Sequence, residues 1–286
     1  FVPLRFISET LSAKVEWEAN EQKITIIYPK PFDEVLPPLG EGWWTKMSGE
    51  EGYDVISGGG DANSPSLISD GEGNLYACWS EDREGQYDIY FSRWNGTSWV
   101  TMSGQPGSER VALTQGDSEF SSIGLDLLLN PIIVWSDDTE GNFDIYITRW
   151  LEGEWRKLNG IPGYDIVFPT PGSSKDPKIR VDQQGVIHLT FSDDTLGLDR
   201  IYYTRWDGQG WKKADGSPGY DEFYIEYSLE NRNPSLDIDD IDNPYLVWSS
   251  SFSDFSSDIY FTRWNGSFWC KSNGEGGYEN ISNNPS

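Results

Sequence analysis

One phrase recurs five times in this chain and constrains its fold more than any other feature. It reads Trp44-Thr45-Lys46-Met47-Ser48-Gly49 and returns as Trp99 to Gly104, Trp155 to Gly160, Trp211 to Gly216 and Trp269 to Gly274, at spacings of 55, 56, 56 and 58. A period of this size built from short strands means one supersecondary unit stacked on its own copies. Each unit holds four candidate strands. The first is short, as in Pro65-Ser66-Leu67, Ser121-Ser122-Ile123, Pro177-Lys178-Ile179 and Pro234-Ser235-Leu236. The second ends in an aromatic and a serine: Trp79-Ser80, Trp135-Ser136, Phe191-Ser192 and Trp248-Ser249. The third carries Ile-Tyr, at Ile89-Tyr90, Ile145-Tyr146, Ile201-Tyr202 and Ile259-Tyr260, and runs on to an Arg-Trp pair. The fourth opens on the tryptophan that sets the period. Tight turns join strands three and four (Asn95-Gly96, Glu152-Gly153, Asp207-Gly208, Asn265-Gly266) and supply hairpin chemistry. Four antiparallel strands per repeat of this length describe a blade of an all-β propeller.

Counting blades predicts an unfinished ring. Strands one to three occur four times, near 65–94, 121–150, 177–206 and 234–264, whereas the Trp-led strand occurs five times. Trp44 and Trp269 therefore compete for one place beside Arg263-Trp264. Gly277 to Ser282 repeats Gly52 to Ser57, so a fifth blade starts where the sequence stops. The expectation is that the chain continues, or that a neighbouring molecule supplies strands by self-association through incomplete blades. The propeller repeats then occupy 43–286. A Pro/Gly linker fills 31–42 (Pro31, Pro37, Pro38, Gly40, Gly42), and residues 1–30 form a separate segment. In that segment Leu4, Ile7 and Leu11 have helical spacing, and 14–18 with 23–28 read as a hairpin, giving a small α+β unit.

Charge removes several functions. With 21 Lys and Arg against 47 Asp and Glu the net charge is −26, which repels nucleic acid. One histidine excludes a two-His metal centre, and two cysteines are too few for a disulfide framework. No apolar run reaches the roughly 20 residues of a membrane span. An aromatic content of 15% is too high for a disordered acidic tail.

The wording FVPLRFISETLSAKVEWEANEQKITIIY resembles the second half of the copper amine oxidase N-terminal-like domain. That resemblance implies an exported, cell-surface or secreted protein. It implies neither copper nor oxidase chemistry, and the stretch holds no histidine. The Ser-Asp-Asp…Gly-x-x-Asp-Ile-Tyr wording across 43–286 is similar to TolB-type and sialidase-like propeller repeats. A sialidase would need an arginine triad over the channel, and of the unrepeated arginines only Arg180 lies on a first strand.

Among polar residues, Arg93, Arg149, Arg205 and Arg263 recur once per blade, which predicts a structural role through a salt bridge or tryptophan stacking inside the blade. Asp88, Asp144 and Asp258 are expected to accept N–H bonds from their own loop. Arg200, preceded by Asp199, suggests a one-residue adjustment in the third blade. The acidic loops between strands two and three offer oxygens to calcium, with Asp82, Asp88, Asp138, Asp144, Asp194 and Asp199 as the candidate ligands. Calcium is the one cofactor these loops suggest. The run from Asp237 to Asn243 is a second acidic candidate, partly a strand with its carboxylates outward.

These loops share a rim with the long segments 104–120, 160–176 and 216–233. There Tyr164, Phe168, Tyr220, Phe223, Tyr224 and Tyr227 sit beside carboxylates. Such a rim suits a protein or glycan partner, although most of these rings are expected to pack between blades. The opposite rim bears the sequons at Asn95 and Asn265, with a third triplet at Asn280. His188 aligns with Tyr76, Ile132 and Tyr245 and reads as packing. Cys78 aligns with Val134 and reads as a small buried hydrophobe unpaired with Cys270. No residue is assigned a catalytic role. The functional expectation is a non-catalytic extracellular structural or interaction module, and the alternative is a carbohydrate-active propeller, as a glycan-binding module or a glycoside hydrolase fragment.

Overall fold

A computed structural model describes residues 14–18, 23–27, 45–253 and 255–282. The chain divides into two units, 1–53 and 54–286. In the first, β1 (Lys14–Glu18) and β2 (Lys23–Ile27) form the expected antiparallel hairpin, with Lys14 opposite Ile27. The expected helix near 4–11, the rest of the amine-oxidase-like stretch and the 31–42 linker lie outside the described residues.

The second unit is a β-propeller assembly of four antiparallel blades, with no helix among the described residues. Blade 1 contains β3 (Asp61–Ser69), β4 (Leu75–Asp82), β5 (Tyr87–Trp94), β6 (Trp99–Val100) and β7 (Glu109–Arg110). Blade 2 contains β8 (Ser118–Leu125), β9 (Pro131–Asp137), β10 (Asp144–Leu151), β11 (Glu154–Arg156) and β12 (Asp165–Val167). Blade 3 contains β13 (Ser174–Val181), β14 (Ile187–Asp193), β15 (Arg200–Trp206), β16 (Trp211–Lys212) and β17 (Asp221–Phe223). Blade 4 contains β18 (Glu230–Ile238), β19 (Pro244–Ser251), β20 (Ser257–Trp264), β21 (Trp269–Cys270) and β22 (Glu279–Asn280).

The fourth strand of every blade is split into two short pieces that both pair with the third. The segments 104–120, 160–176 and 216–233 are therefore not simply rim loops, because each contains the second half of an outer strand. A hydroxyl holds the split together. Thr148 Oγ1 lies 3.0 Å from the Arg156 carbonyl and 2.8 Å from that of Gly163, and Ser92, Thr204 and Thr262 repeat the arrangement. The excursion is closed by an acid. Glu109, Asp165, Asp221 and Glu279 accept from the backbone N–H groups of Met102, Leu158, Ala214 and Ser272. The Arg-Trp tryptophan then meets the tryptophan that opens strand four, with ring centroids 5.4–5.9 Å apart in all four blades. Trp269 takes the place beside Trp264.

Inner strands of successive blades pack β3 on β8, β8 on β13 and β13 on β18, and no comparable packing joins blade 4 to blade 1 among the described residues. Burial records the two free faces. Ile123, Ile179 and Leu236 are at most 2% exposed beneath the preceding blade, but Leu67 at the same position of blade 1 is 62% exposed. Ile89, Ile145 and Ile201 are sealed by the following blade, whereas Ile259 of blade 4 is 39% exposed. The second strands follow suit: β9 and β14 are buried at every position, and β19 only at alternate ones. A strand covered on both faces loses the period-two alternation.

Candidate functional site

The acidic loops prove to be latches that pin each blade's second strand to the segment entering its first strand. Asp137 accepts from Ser118 Oγ at 2.6 Å, Trp135 Nε1 at 3.2 Å and Thr139 N at 3.0 Å. Asp138 Oδ1 accepts from Asp117 N at 2.7 Å, and Thr139 Oγ1 accepts from Gln115 N and Gly116 N. Blade 3 repeats this with Asp193, Asp194 and Thr195 on Ser174, Ser173 and Gly172. Blade 1 substitutes Glu81, which receives Gly58 N, Gly60 N, Trp79 Nε1 and Arg83 Nη2. Burial pushes the Glu81 carboxyl up, but its bonds to Arg83, Trp79 and Gly60 outweigh that and carry it down to about 2. Gly116 is required by proximity, since a Cβ there would lie 2.2 Å from Asp138 Oδ1.

The six candidate calcium ligands are spread over these latches. Asp82 accepts from Gly85 N, Asp138 from Asp117 N and Asp194 from Ser173 N. Asp88 pairs with Arg110 at 3.0 Å, Asp144 accepts from Thr170 N, and Asp199 pairs with Arg232. Among the described residues no three His, Cys, Asp or Glu side chains gather as a metal site. Burial raises the pKa of Asp88 and of Asp144. The aspartates before Ile-Tyr thus do not cap their own loop. Asp144 and Asp258 reach the chain leaving the outer strand, at Thr170 and at Ser282 Oγ, and Asp88 reaches Arg110. Arg200 sits opposite Asp193 as Asp144 sits opposite Asp137, so blade 3 needs no adjustment. The extra residue lies in blade 4, where Ser249 pairs with Ile259.

Arg93, Arg149, Arg205 and Arg263 also depart from expectation. Among the described residues none has a carboxylate within ion-pair distance or a ring beneath its guanidinium. Arg180 reaches Asp237 at 3.5 Å, and Asp239 caps its own turn through Ile241 N and Asn243 N. Cys78 and Cys270 are free and buried, and burial pushes the Cys78 thiol up to about 12. His188 is buried, with Nδ1 2.7 Å from Tyr203 Oη and Nε2 3.1 Å from Asp182 Oδ2. Its place follows from the repeat. Asn74, Asn130 and Asn243 donate a side-chain N–H to the turn aspartate of their blades, and blade 3 has Val186 there, so the imidazole completes Asp182.

The candidate site is where blade 3 breaks the repeat on the acidic rim. Trp135 and Trp248 fill the crevice against the preceding outer strand and Trp79 holds the same position in blade 1, but blade 3 places the smaller Phe191 there. A cleft of about 90 Å³ results, lined by Phe168, Phe191, Tyr202, Tyr220, Asp193 and Glu222 among others. Tyr220 meets Tyr202 at 4.9 Å and Phe168 at 5.1 Å, both edge to face. Burial pushes the Tyr202 phenol up, so it stays protonated and available as a donor. Leu196 and Leu198, both exposed, replace the polar Glu84 and Gln86 of blade 1 and the Glu140 and Asn142 of blade 2. Glu222 of the cleft is ion-paired with Arg200, which lies 4.5 Å over the Tyr224 ring and lines a second hollow of about 190 Å³ with Leu198 and Tyr227. The Glu222–Arg200 pair links the cleft to the hollow, and Tyr220, Tyr224 and Tyr227, the last 85% exposed, lie along this groove.

Of the expected rim aromatics, Phe168, Tyr220, Tyr224 and Tyr227 line this groove. Tyr164 packs on Trp135 and Tyr146, and Phe223 is buried against Trp248. The expectation missed Phe191, Leu196, Leu198 and Glu222. The signal was in the alignment, as departures from otherwise repeated positions.

No family model matches the chain, and no curated protein matches it. Solved structures do. A protein of unknown function from Dyadobacter fermentans is similar at a TM-score of 0.54 and 12% identity, over 77% of this chain and 68% of that one. A Hadza microbial sialidase gives 0.48 and 10% over 75% of this chain, but the match spans only 47% of the sialidase. An endo-arabinase from Bacteroides thetaiotaomicron gives 0.48 and 13%, over 76% and 80%. The first likeness shows the fold alone, and the other two, under 0.5, carry no argument.

Proposed function

We propose that this propeller is a carbohydrate-binding module that holds a sugar chain, without cleaving it, in the rim groove of blade 3. The observation that carries this reading is the replacement of a buried tryptophan by Phe191, which opens a cleft walled by aromatic rings and floored by a carboxylate. Pyranose C–H faces stack on tyrosine and phenylalanine rings, while hydroxyls take bonds from polar groups at the edge. Tyr220, Tyr224 and Tyr227 offer rings along the groove, and Glu222, Arg200 and Thr195 offer polar edges.

The carboxylates favour holding over hydrolysis. Asp193 is engaged by Ser174 Oγ at 2.8 Å, Thr170 Oγ1 at 2.7 Å and Thr195 N at 2.9 Å, and Glu222 by Arg200. Glycoside hydrolysis needs one carboxyl free to donate a proton and another free to attack or activate water. The secreted or surface setting that the N-terminal resemblance implies would bring such a groove to polymeric glycans.

A glycan array tests the reading. The wild-type chain should retain at least one oligosaccharide class, and a Tyr220→Ala, Tyr224→Ala double variant should lose it by tenfold or more, about 1.4 kcal/mol. Retention of no glycan by the wild type, or equal retention by both proteins, would refute it.

A further inference from the structure

We propose a second ligand site, for a small hydroxy acid such as a sugar acid, on the opposite rim between blades 3 and 4. A cavity of about 410 Å³ opens there, lined by His188, Tyr203, Arg205, Ala214, Asp215 and Asn243 with their neighbours. Three departures from the repeat meet in it. Ala214 stands where blades 1 and 2 have Met102 and Leu158, which removes the side chain that would fill the space. Tyr203 stands where the others have Phe91, Ile147 and Phe261, which adds a hydroxyl. His188 stands opposite Arg205 where Ile132 stands opposite Arg149. Between blades 2 and 3 the same place is closed by Ile132, Ile147 and Leu158, all buried in the shared core.

The donors and acceptors of this cavity specify the ligand. Arg205 has no carboxylate within ion-pair distance among the described residues, and its single hydrogen bond is from Nε to the Lys213 carbonyl at 3.3 Å. Its two terminal nitrogens are left as a planar fork, the geometry that receives a carboxylate. Asp182, ionised, can only accept, so His188 donates to it from Nε2. Tyr203 Oη lies 2.7 Å from Nδ1, so phenol and imidazole hold each other as the buried floor of the cavity. Asp215, at the mouth, is a further acceptor whose Oδ1 already holds Ser217. A guanidinium fork beside acceptors for hydroxyls matches a carboxylate that carries neighbouring hydroxyl groups.

Calorimetric titration of the full chain with sodium D-glucuronate and with D-glucose is the test. Glucuronate should bind at least tenfold more tightly than glucose. Ala214→Leu and Arg205→Gln should each weaken it tenfold or more. Ala214→Leu restores the side chain that blade 2 carries at this position, so its thermal unfolding should stay near wild type. Phe191→Trp, which fills the other rim's cleft, should leave glucuronate binding unchanged, so the two sites succeed or fail separately. No measurable binding of glucuronate, or wild-type affinity in Ala214→Leu, would overturn the proposal.

Discussion

Glu81 offers the sharpest test of the latch that pins a blade's entry segment to the end of its second strand. Its Oε1 receives Gly58 N at 2.7 Å and Gly60 N at 3.0 Å, and its Oε2 receives Trp79 Nε1 at 2.8 Å and Arg83 Nη2 at 2.7 Å. Glu81→Gln keeps one acceptor oxygen but turns an amide NH2 toward two donors and leaves Arg83 without its anion. A carboxyl lowered from 4.5 to about 2 on folding holds about 3 kcal/mol in its ionised form, at about 1.36 kcal/mol per pH unit. For an acid depressed in this way the contribution is complete above pH 4.5 and is lost as pH falls through about 2. The variant should therefore unfold about 6–12 °C below wild type at pH 7 by differential scanning calorimetry. That gap should shrink to less than half by about pH 3. A gap under about 2 °C at pH 7, or one that does not narrow with acid, would refute the latch.

Further outcomes follow from the same geometry. Thr148→Val removes the buried hydroxyl that holds both halves of an outer strand, and should lower stability by about 1–2 kcal/mol in urea unfolding. A change within about 0.3 kcal/mol would show that the split needs no clamp. Gly116→Ala drives a methyl into Asp138 and the Thr139 amide, 2.2 and 2.4 Å away, and should cost about 2 kcal/mol or more, read as a lower thermal midpoint. Cys78 and Cys270 should resist a thiol reagent in the native protein and react together in denaturant, and stoichiometric labelling of the folded chain would contradict their burial.

Much of this fold is legible in the sequence because each blade states its rules again. A tryptophan every 55–58 residues marks the outer strand, and its partner in Arg-Trp marks the third. The split outer strand is not legible, since its second half is two or three residues long and reads as loop. The role of Asp144 was misplaced for a related reason: its acceptor bond spans 26 residues to Thr170, and no local spacing encodes that reach. The repeated arginines draw the eye by repetition, yet repetition is the mark of scaffold. The groove instead gathers at single departures, with Phe191 where three blades have tryptophan and Leu196 and Leu198 where two have polar side chains. Ala214 and Tyr203 mark the opposite rim in the same way. A departure creates a site only when removed volume and added polarity meet in space, and the fold is needed to show that they do.

Phe191→Trp tests the central claim most directly, because it returns blade 3 to the pattern of its neighbours. The introduced indole should occupy the cleft and find Asp193 as Trp135 finds Asp137, so the thermal midpoint should hold or rise. Calorimetric titration with a glycan retained by the wild-type chain should show affinity reduced at least tenfold in the variant. Wild-type affinity in a folded Phe191→Trp protein would place carbohydrate binding elsewhere and contradict the account.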